Sequence, residues 1–154
     1  MTERLVAHEV FSFLRPEQVD AISERAERIR LPAGAIVYEQ GARADHLYTV
    51  LDGEVTLRLP GQDGFNVVID QLRRGEMFGS CVCFQRDSYA LTAQCATDSE
   101  LLKIESSALK ELMDGDLVMG YALQTRLSAV YFGRYLETMR KLQAITMSLP
   151  IEVG

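Results

Sequence analysis

Six short β-rich runs, separated by turn-forming residues, place the strongest constraint on how this chain can fold. Each run has four to six residues, and together they cover 35–38, 47–51, 55–59, 67–72, 89–94 and 101–104. Glycine, proline, aspartate and serine lie between them, where the chain has to turn. Strands this closely spaced predict a β-barrel or a double-sheet jelly roll over residues 31–105.

Two hairpins are predicted within this region. Asp52-Gly53 separates the runs 47–51 and 55–59, and this dipeptide tolerates the positive φ angles of a tight type I′ turn. A second turn at 60–64 separates the next pair of runs. The hairpins lead into loop 75–90, where small and turn-forming residues let backbone amides approach a bound group closely. We expect a small-molecule site to lie at this loop.

Helical patterns flank the β-rich region on both sides. Pro16 suits the first turn of a helix, and apolar residues then recur three or four positions apart, which predicts an amphipathic helix from about 16 to 28. Ser106 is placed to cap a short helix, and Asp116 to cap a long one that meets no proline before Pro150.

The predicted fold is therefore α+β and mainly β, with one helix before the barrel and a short and a long helix after it. We expect a single domain, 1–154. It consists of an N-terminal helical segment (1–30), a barrel (31–105) that includes loop 75–90, and C-terminal helices (106–149).

The long C-terminal helix has more apolar surface than one barrel wall needs. One stripe follows alternating steps of four and three and consists of Val118, Ala122, Thr125, Ala129, Phe132, Leu136 and Met139. A second consists of Tyr131, Tyr135, Thr138, Leu142, Ile145 and Leu149. We expect the first stripe to pair with a second copy in a parallel homodimer. The alternative is one wide apolar face that lies on the chain's own barrel.

Composition limits the partners of this chain. Its 154 residues, 47% of them hydrophobic, are enough for one core. The net charge of −6 argues against a nucleic-acid surface, which needs clustered lysine and arginine. Three cysteines without a CxxC pair and no apolar signal segment favour a reducing, cytoplasmic setting. Because no apolar run approaches the roughly 18 residues that a bilayer requires, no membrane partner is expected.

No arrangement of residues predicts catalysis or a metal centre. His8 and His46 are not at short ligand spacing to Cys81 or Cys83, so the cysteines are interpreted as small buried hydrophobic residues. The sequence has neither the His-x-His pattern of metal-binding cupins nor a P-loop or Ser-His-Asp grouping. We expect a protein that is not an enzyme and holds no metal.

Several short motifs occur together in an order that is specific as a set. They are Leu31-Pro32-Ala33-Gly34, Gly41, Asp45-His46-Leu47-Tyr48, Leu51-Asp52-Gly53-Glu54-Val55, Gly75-Glu76-Met77-Phe78-Gly79 and Leu101-Leu102-Lys103-Ile104. With these motifs, the chain from about Val10 to Leu142 resembles the cyclic nucleotide-binding domain of the catabolite-activator and FNR-like regulators. The resemblance implies a jelly-roll barrel with a phosphate-binding cassette after the Phe-Gly pair.

The resemblance also implies which residues hold the ligand. A Glu directly after Phe-Gly accepts a hydrogen bond from the ribose 2′-hydroxyl, and an Arg about ten residues later pairs with the cyclic phosphate. These positions hold Ser80 and Tyr89 here, and Ala90 replaces the small hydroxyl residue expected next. The long helix contributes a polar contact to the base, at Thr138 or Met139. Because both charged contacts are replaced, a degenerate cassette with weak or altered specificity is expected.

We therefore expect a non-catalytic sensor or regulatory module that acts through a small ligand or through a protein partner. The candidate pocket consists of Phe78, Gly79, Ser80, Cys81, Arg86, Tyr89, Ala90 and Thr138. The alternative is a functional cyclic AMP or cyclic GMP receptor with an atypical cassette, held by the Gly79 and Ser80 amides, Arg86 and Thr138.

DNA-binding members of that family continue past the long helix into a helix-turn-helix domain. This chain ends at Gly154 without a recognition helix. We expect either a stand-alone sensor or the sensor half of a transcription regulator, with no direct nucleic-acid binding by this chain.

Overall fold

The computed structural model describes residues 11–61, 64–79 and 85–146, which form three helices and eight strands. The helices are α1 (Pro16–Glu24), α2 (Ser106–Gly115) and α3 (Leu117–Thr146). The strands are β1 (Ala26–Leu31), β2 (Ile36–Tyr38), β3 (His46–Asp52), β4 (Val55–Pro60), β5 (Asn66–Leu72), β6 (Met77–Phe78), β7 (Thr92–Cys95) and β8 (Ser99–Glu105).

The strands form two antiparallel sheets of four strands each. Sheet A has the order β1-β8-β3-β6, and sheet B has the order β2-β7-β4-β5. Helix α1 precedes the sheets, and α2 and α3 follow them. This confirms the predicted mainly β jelly roll with a long C-terminal helix.

Sheet A is buried on both faces because it lies between sheet B and the helices. On the face toward sheet B, Tyr48, Val50, Phe78 and Leu101 contact residues of sheet B in a cluster that we call the inner core. Side chains of adjacent strand positions point to opposite faces, so Leu102 and Ile104 face the helices instead. The near-continuous apolar run 101–104 follows from this double burial.

All three helices pack on the outer face of sheet A, in a cluster that we call the outer core. Its helical members are Val19, Ile22, Ala108, Leu109, Met119, Leu123 and Leu127. Helix α3 thus contacts the barrel through a third stripe, spaced by four residues, that the sequence pattern did not single out. Beyond Leu127, no described residue of α3 belongs to either core.

The helix predicted at 16–28 is too long, and the helical segment predicted for 1–30 is wrong at its end. Helix α1 ends at Glu24, and Ala26–Leu31 is a strand that pairs with β8 from Ala26↔Ile104 to Leu31↔Ser99. Ile29 and Leu31 contact the inner core. The open edge of β8 supplies backbone partners along the whole segment, which outweighs a weak helical propensity.

The hairpin predicted at Asp52-Gly53 is also wrong. Strand β3 pairs with β6 and β8, whereas β4 pairs with β5 and β7, so the chain crosses from sheet A to sheet B at this point. Gly53 has φ +91°, the left-handed conformation that the dipeptide suggested. The second predicted hairpin is present, because β4 pairs with β5 from Val55↔Leu72 to Pro60↔Asn66.

The cap predictions are half right. Asp116 accepts a hydrogen bond from the Met119 backbone N–H at 3.0 Å, as expected for the cap of α3. Ser106 is the first residue of α2 rather than its cap, and its hydroxyl donates to the Ala44 carbonyl at 3.2 Å. That bond ties the start of α2 to the loop before β3.

None of the helices in the described ranges is long and apolar enough to cross a membrane.

We predict that Gly53→Ala destabilises the fold more than Gly34→Ala. Both glycines have positive φ, but a Cβ at Gly53 would lie 2.4 Å from Ser99 Oγ and 2.6 Å from the Asp98 carbonyl, whereas one at Gly34 meets nothing within 4 Å. Gly34→Ala should lower the free energy of unfolding by about 1–2 kcal/mol, and Gly53→Ala by about 1–3 kcal/mol more. Urea denaturation measures both. Equal losses would contradict the close packing of the Gly53 crossover against β8.

Candidate functional site

The loop predicted to hold a ligand, 75–90, includes strand β6, whose two residues are buried. Phe78 is fully buried in the inner core. Gly79 follows with φ +78°, and a Cβ there would lie 3.1 Å from the His46 carbonyl and 3.4 Å from the rings of Tyr38 and Tyr48. Only glycine fits this approach without displacing its neighbours.

Tyr89, at the position expected for the phosphate-binding arginine, is buried. Its ring stacks on Tyr38 with centroids 3.6 Å apart and planes 11° from parallel. Its hydroxyl donates to the His46 carbonyl at 2.7 Å and accepts from the His46 backbone N–H at 3.1 Å. The Tyr89 backbone is held as well, since its N–H donates to the Ala42 carbonyl and its carbonyl accepts from Gly41.

Tyr89 completes a group of four rings that we call the aromatic cluster, consisting of Tyr38, Tyr48, Phe78 and Tyr89. Tyr48 and Phe78 stack with centroids 5.3 Å apart, and Tyr38 lies 6.0 Å from each of them. Burial raises the pKa of Tyr48, so its phenol stays neutral at physiological pH. The four rings therefore pack as an uncharged cluster around Phe78 of β6.

The structure brings together only part of the predicted pocket. Phe78, Gly79 and Tyr89 meet at the aromatic cluster, whereas Arg86, Ala90 and Thr138 are exposed. Ser80 and Cys81 lie outside the described residues. Within the described ranges, no group of three or more His, Cys, Asp or Glu side chains is arranged to hold a metal ion.

A cavity of about 350 Å³ lies between the end of β5, the turn after it and the middle of α3. Of the predicted pocket residues that the structure describes, none lines it. Its polar lining includes three carboxylates, two guanidinium groups and an amide, from Asp70, Glu76, Glu137, Arg126, Arg134 and Gln71. The cavity is at the small end of pockets that hold small molecules.

One ion pair crosses this cavity from the barrel to the long helix. Arg134 Nε lies 2.7 Å from Asp70 Oδ2, and the two side chains are 11% and 33% exposed. The guanidinium carbon of Arg134 also lies 4.8 Å from the centroid of the Tyr131 ring. Burial raises the pKa of Glu76, helped by the charge of Asp70 and opposed by the Arg73 backbone and by Arg134 and Arg73 charges.

Asp70 and Arg134 were not identified from the sequence. Each had a signal, because Asp70 is a charged residue in a β-rich run and Arg134 lies between Tyr131 and Tyr135 on an otherwise apolar side of the helix. Arg134 is also one turn before Thr138, the predicted base contact, and residues four apart share a helix face. The sequence did not indicate that β5 and α3 bring the two charges together.

The family model described as the cyclic nucleotide-binding domain matches residues 28–116. The chain belongs to the cyclic nucleotide-binding domain family. The resemblance drawn from the sequence motifs is thereby confirmed. The matched range runs from within β1 to the residue after α2, and it includes the predicted cassette positions and Asp70.

Three known proteins illustrate what this domain is similar to. A structure of a putative cyclic nucleotide-binding protein from Geobacter metallireducens superposes with a TM-score of 0.74 at 22% identity, over 86% of this chain and 96% of that one. The lysophospholipase nte1 of Aspergillus oryzae is 29% identical over 99 residues, which are 64% of this chain and 6% of that protein. The CRP-like cAMP-activated global transcriptional regulator of Mycobacterium tuberculosis is 23% identical over 110 residues, or 71% of this chain and 49% of that regulator.

These matches have a limited reach. The chain spans 6% of the lysophospholipase and about half of the transcriptional regulator. The enzyme is therefore matched over a small part of its length, and the family that this part shares with the chain is a binding domain. The structural match, at its level of identity, shows the fold.

We predict that Tyr89→Phe destabilises the domain by about 1–3 kcal/mol, because the His46 N–H and carbonyl both lose a partner in a partly buried site. The ring stack on Tyr38 is kept. The matched control is Tyr121→Phe, since Tyr121 is 78% exposed, and its effect should stay within about 0.5 kcal/mol. Urea denaturation of both variants is the measurement. A loss for Tyr89→Phe no larger than the control would mean that the hydroxyl does not hold β3.

Proposed function

We propose that this domain is a non-catalytic sensor or regulatory module whose ligand specificity is weak or altered relative to cyclic nucleotide receptors. The observation that carries the proposal is the burial of Tyr89 with its hydroxyl hydrogen-bonded to the backbone of His46. A neutral phenol has one proton to donate, and that proton is used within the fold. Tyr89 therefore cannot replace an arginine that grips a phosphate.

The expected cost of losing the phosphate-binding arginine supports altered specificity. Losing one member of a desolvated charge pair costs about 2–5 kcal/mol, and every 1.4 kcal/mol is about tenfold in affinity. The loss therefore corresponds to tens to thousands of fold. A second charge is replaced at Ser80, where a hydroxyl stands in place of a carboxylate. Arg86 and Thr138, the substitutes considered for an atypical receptor, are both exposed, which favours the altered-specificity proposal over that alternative.

The test is calorimetric titration of the protein with cyclic AMP and cyclic GMP. We expect dissociation constants above about 100 µM for both, as for a receptor that has lost its charged contacts. Micromolar binding of either nucleotide, weakened by Arg86→Ala, would instead establish the atypical receptor.

A repair variant gives the opposite arm of this test. Ser80→Glu combined with Tyr89→Arg restores both charged positions and should tighten cyclic nucleotide binding by at least about tenfold. Tyr89→Arg alone is the matched control, and far-ultraviolet circular dichroism checks that both variants fold. No gain in a folded double variant would mean that the remaining rings of the aromatic cluster, Tyr38, Tyr48 and Phe78, rather than the missing charges, close the site.

We also propose that the domain acts as a homodimer through α3. Most of the stripe predicted for this role is exposed in one protomer, with Val118 72%, Phe132 61% and Met139 46% exposed, whereas Ala122 packs against the outer core. The barrel is contacted by a different stripe, Met119, Leu123 and Leu127. Such a long apolar face left uncovered is typical of a helix that pairs with another.

Sedimentation velocity tests this dimer. Phe132→Glu with Leu136→Glu should convert the dimer to a monomer, because two charges would be buried in the helix pair. Phe65→Glu is the control, since Phe65 is 76% exposed and precedes β5 rather than lying on α3. A wild-type monomer at about 100 µM, or an unchanged dimer in the double variant, would contradict the proposal.

A further inference from the structure

The Asp70–Arg134 ion pair joins strand β5 to the C-terminal half of helix α3. Beyond Leu127, no described residue of α3 belongs to either hydrophobic core. Arg134 is nevertheless only 11% exposed in its side chain, because it lies between the Asp70 carboxylate and the Tyr131 ring. The pair is therefore a specific polar attachment of α3 to β5.

The cavity beside this pair has room for a small molecule. Gly75 and Gly133 line it from the turn and from the helix, and a Cβ at either would meet nothing within 4 Å. Arg126 lines the same wall as Arg134, and its guanidinium carbon lies 5.6 Å from the centroid of the Phe13 ring. Space and the forked donor of Arg134 are what a small phosphate-bearing molecule needs.

Asp70 opposes the binding of such a molecule in two ways. Its carboxylate already accepts a hydrogen bond from Arg134 Nε, so an incoming phosphate has to displace it. Its negative charge also repels a second anion at the same guanidinium. If Arg134 is free of Asp70 for only a small fraction of the time, the apparent affinity for an anion falls by that fraction.

We propose that Asp70 is an intramolecular competitor that occupies Arg134, so that loss of the Asp70 carboxylate turns the β5–α3 cavity into a binding site for a small phosphate-bearing molecule. The Asp70 proposal rests on the proposed function, because both attribute weak ligand binding to this domain. The two differ in the cause of the weak binding. Here the cause is a carboxylate that is present in the cavity, and not a charge that is missing from the cassette.

Calorimetric titration of Asp70→Asn with cyclic AMP and with inorganic phosphate tests the proposal. Cyclic AMP should bind at least about tenfold more tightly to Asp70→Asn than to the wild-type protein. Inorganic phosphate should compete with it, because both present a phosphate to Arg134. The gain should disappear in Asp70→Asn combined with Arg134→Gln.

The chain offers a closely matched control in Glu137→Gln. Glu137 lines the same cavity and carries the same charge, but it pairs with Arg140 at 3.3 Å. Glu137→Gln should change the affinity for cyclic AMP less than about threefold. This control distinguishes an effect of freeing Arg134 from an effect of removing any negative charge in the cavity. Asp70→Glu keeps the carboxylate and should bind as weakly as the wild type.

Three results would overturn the proposal: an unchanged affinity in Asp70→Asn, an equal gain in Glu137→Gln, or a gain that survives Arg134→Gln. Asp70→Ser provides a second neutral variant should Asp70→Asn not fold. The ratio between variant and wild type decides the outcome whatever the wild-type constant is. Micromolar binding by the wild-type protein would refute the proposed function. The ratio of the dissociation constants of the wild type and Asp70→Asn would still test the role of Asp70.

Discussion

The burial of sheet A on both faces is the constraint on which the rest of the structure depends. Its central strand, β8, pairs with β1 on one side and β3 on the other, and it contributes Leu101 to the inner core and Leu102 to the outer core. The helices can pack only because the outer face of this sheet is apolar, and sheet B can pack only because the inner face is. Both hydrophobic cores therefore depend on the position of β8.

This layered arrangement also decides where a ligand has room. The inner core continues into the aromatic cluster, so the space beside β6 is occupied by the rings of Phe78, Tyr48, Tyr38 and Tyr89. One cavity lies at the junction of β5 and α3, where it is lined by glycine and by charged side chains. The Tyr89 ring is part of this packing, while Arg134 of the long helix places a guanidinium at the cavity, paired with Asp70.

A partly buried ion pair of this kind is weak evidence for stability. Removing two charges from water costs most of what their attraction returns, and replacing such a pair by apolar groups is often neutral. Asp70 and Arg134 therefore mark a specific polar contact between β5 and α3. The pair also couples the two elements, because anything that competes for Arg134 changes the attachment of the helix.

Much of the fold was predictable because its signals are local. Three predictions depended only on neighbouring residues and are confirmed. They are the strands read from the spacing of β-rich runs, the Asp116 cap, and the long helix α3 read from the absence of proline. The errors at Ala26–Leu31 and at Asp52-Gly53 have a common cause. In both places, the decision lies with β8, a strand some 50 to 75 residues away, which either supplies an edge or pairs with β3 instead of leaving it to β4.

The sequence by itself determined the family, the mainly β architecture and the residue types, serine and tyrosine, at positions 80 and 89. Only the tertiary structure decided that Tyr89 is held by the backbone of His46, that α3 faces the barrel through Met119, Leu123 and Leu127, and that Asp70 meets Arg134. The physical reason is that residue type and periodicity are properties of neighbouring positions. Which charge is neutralised, and which face is covered, depend on groups that the chain brings together only when both cores are formed.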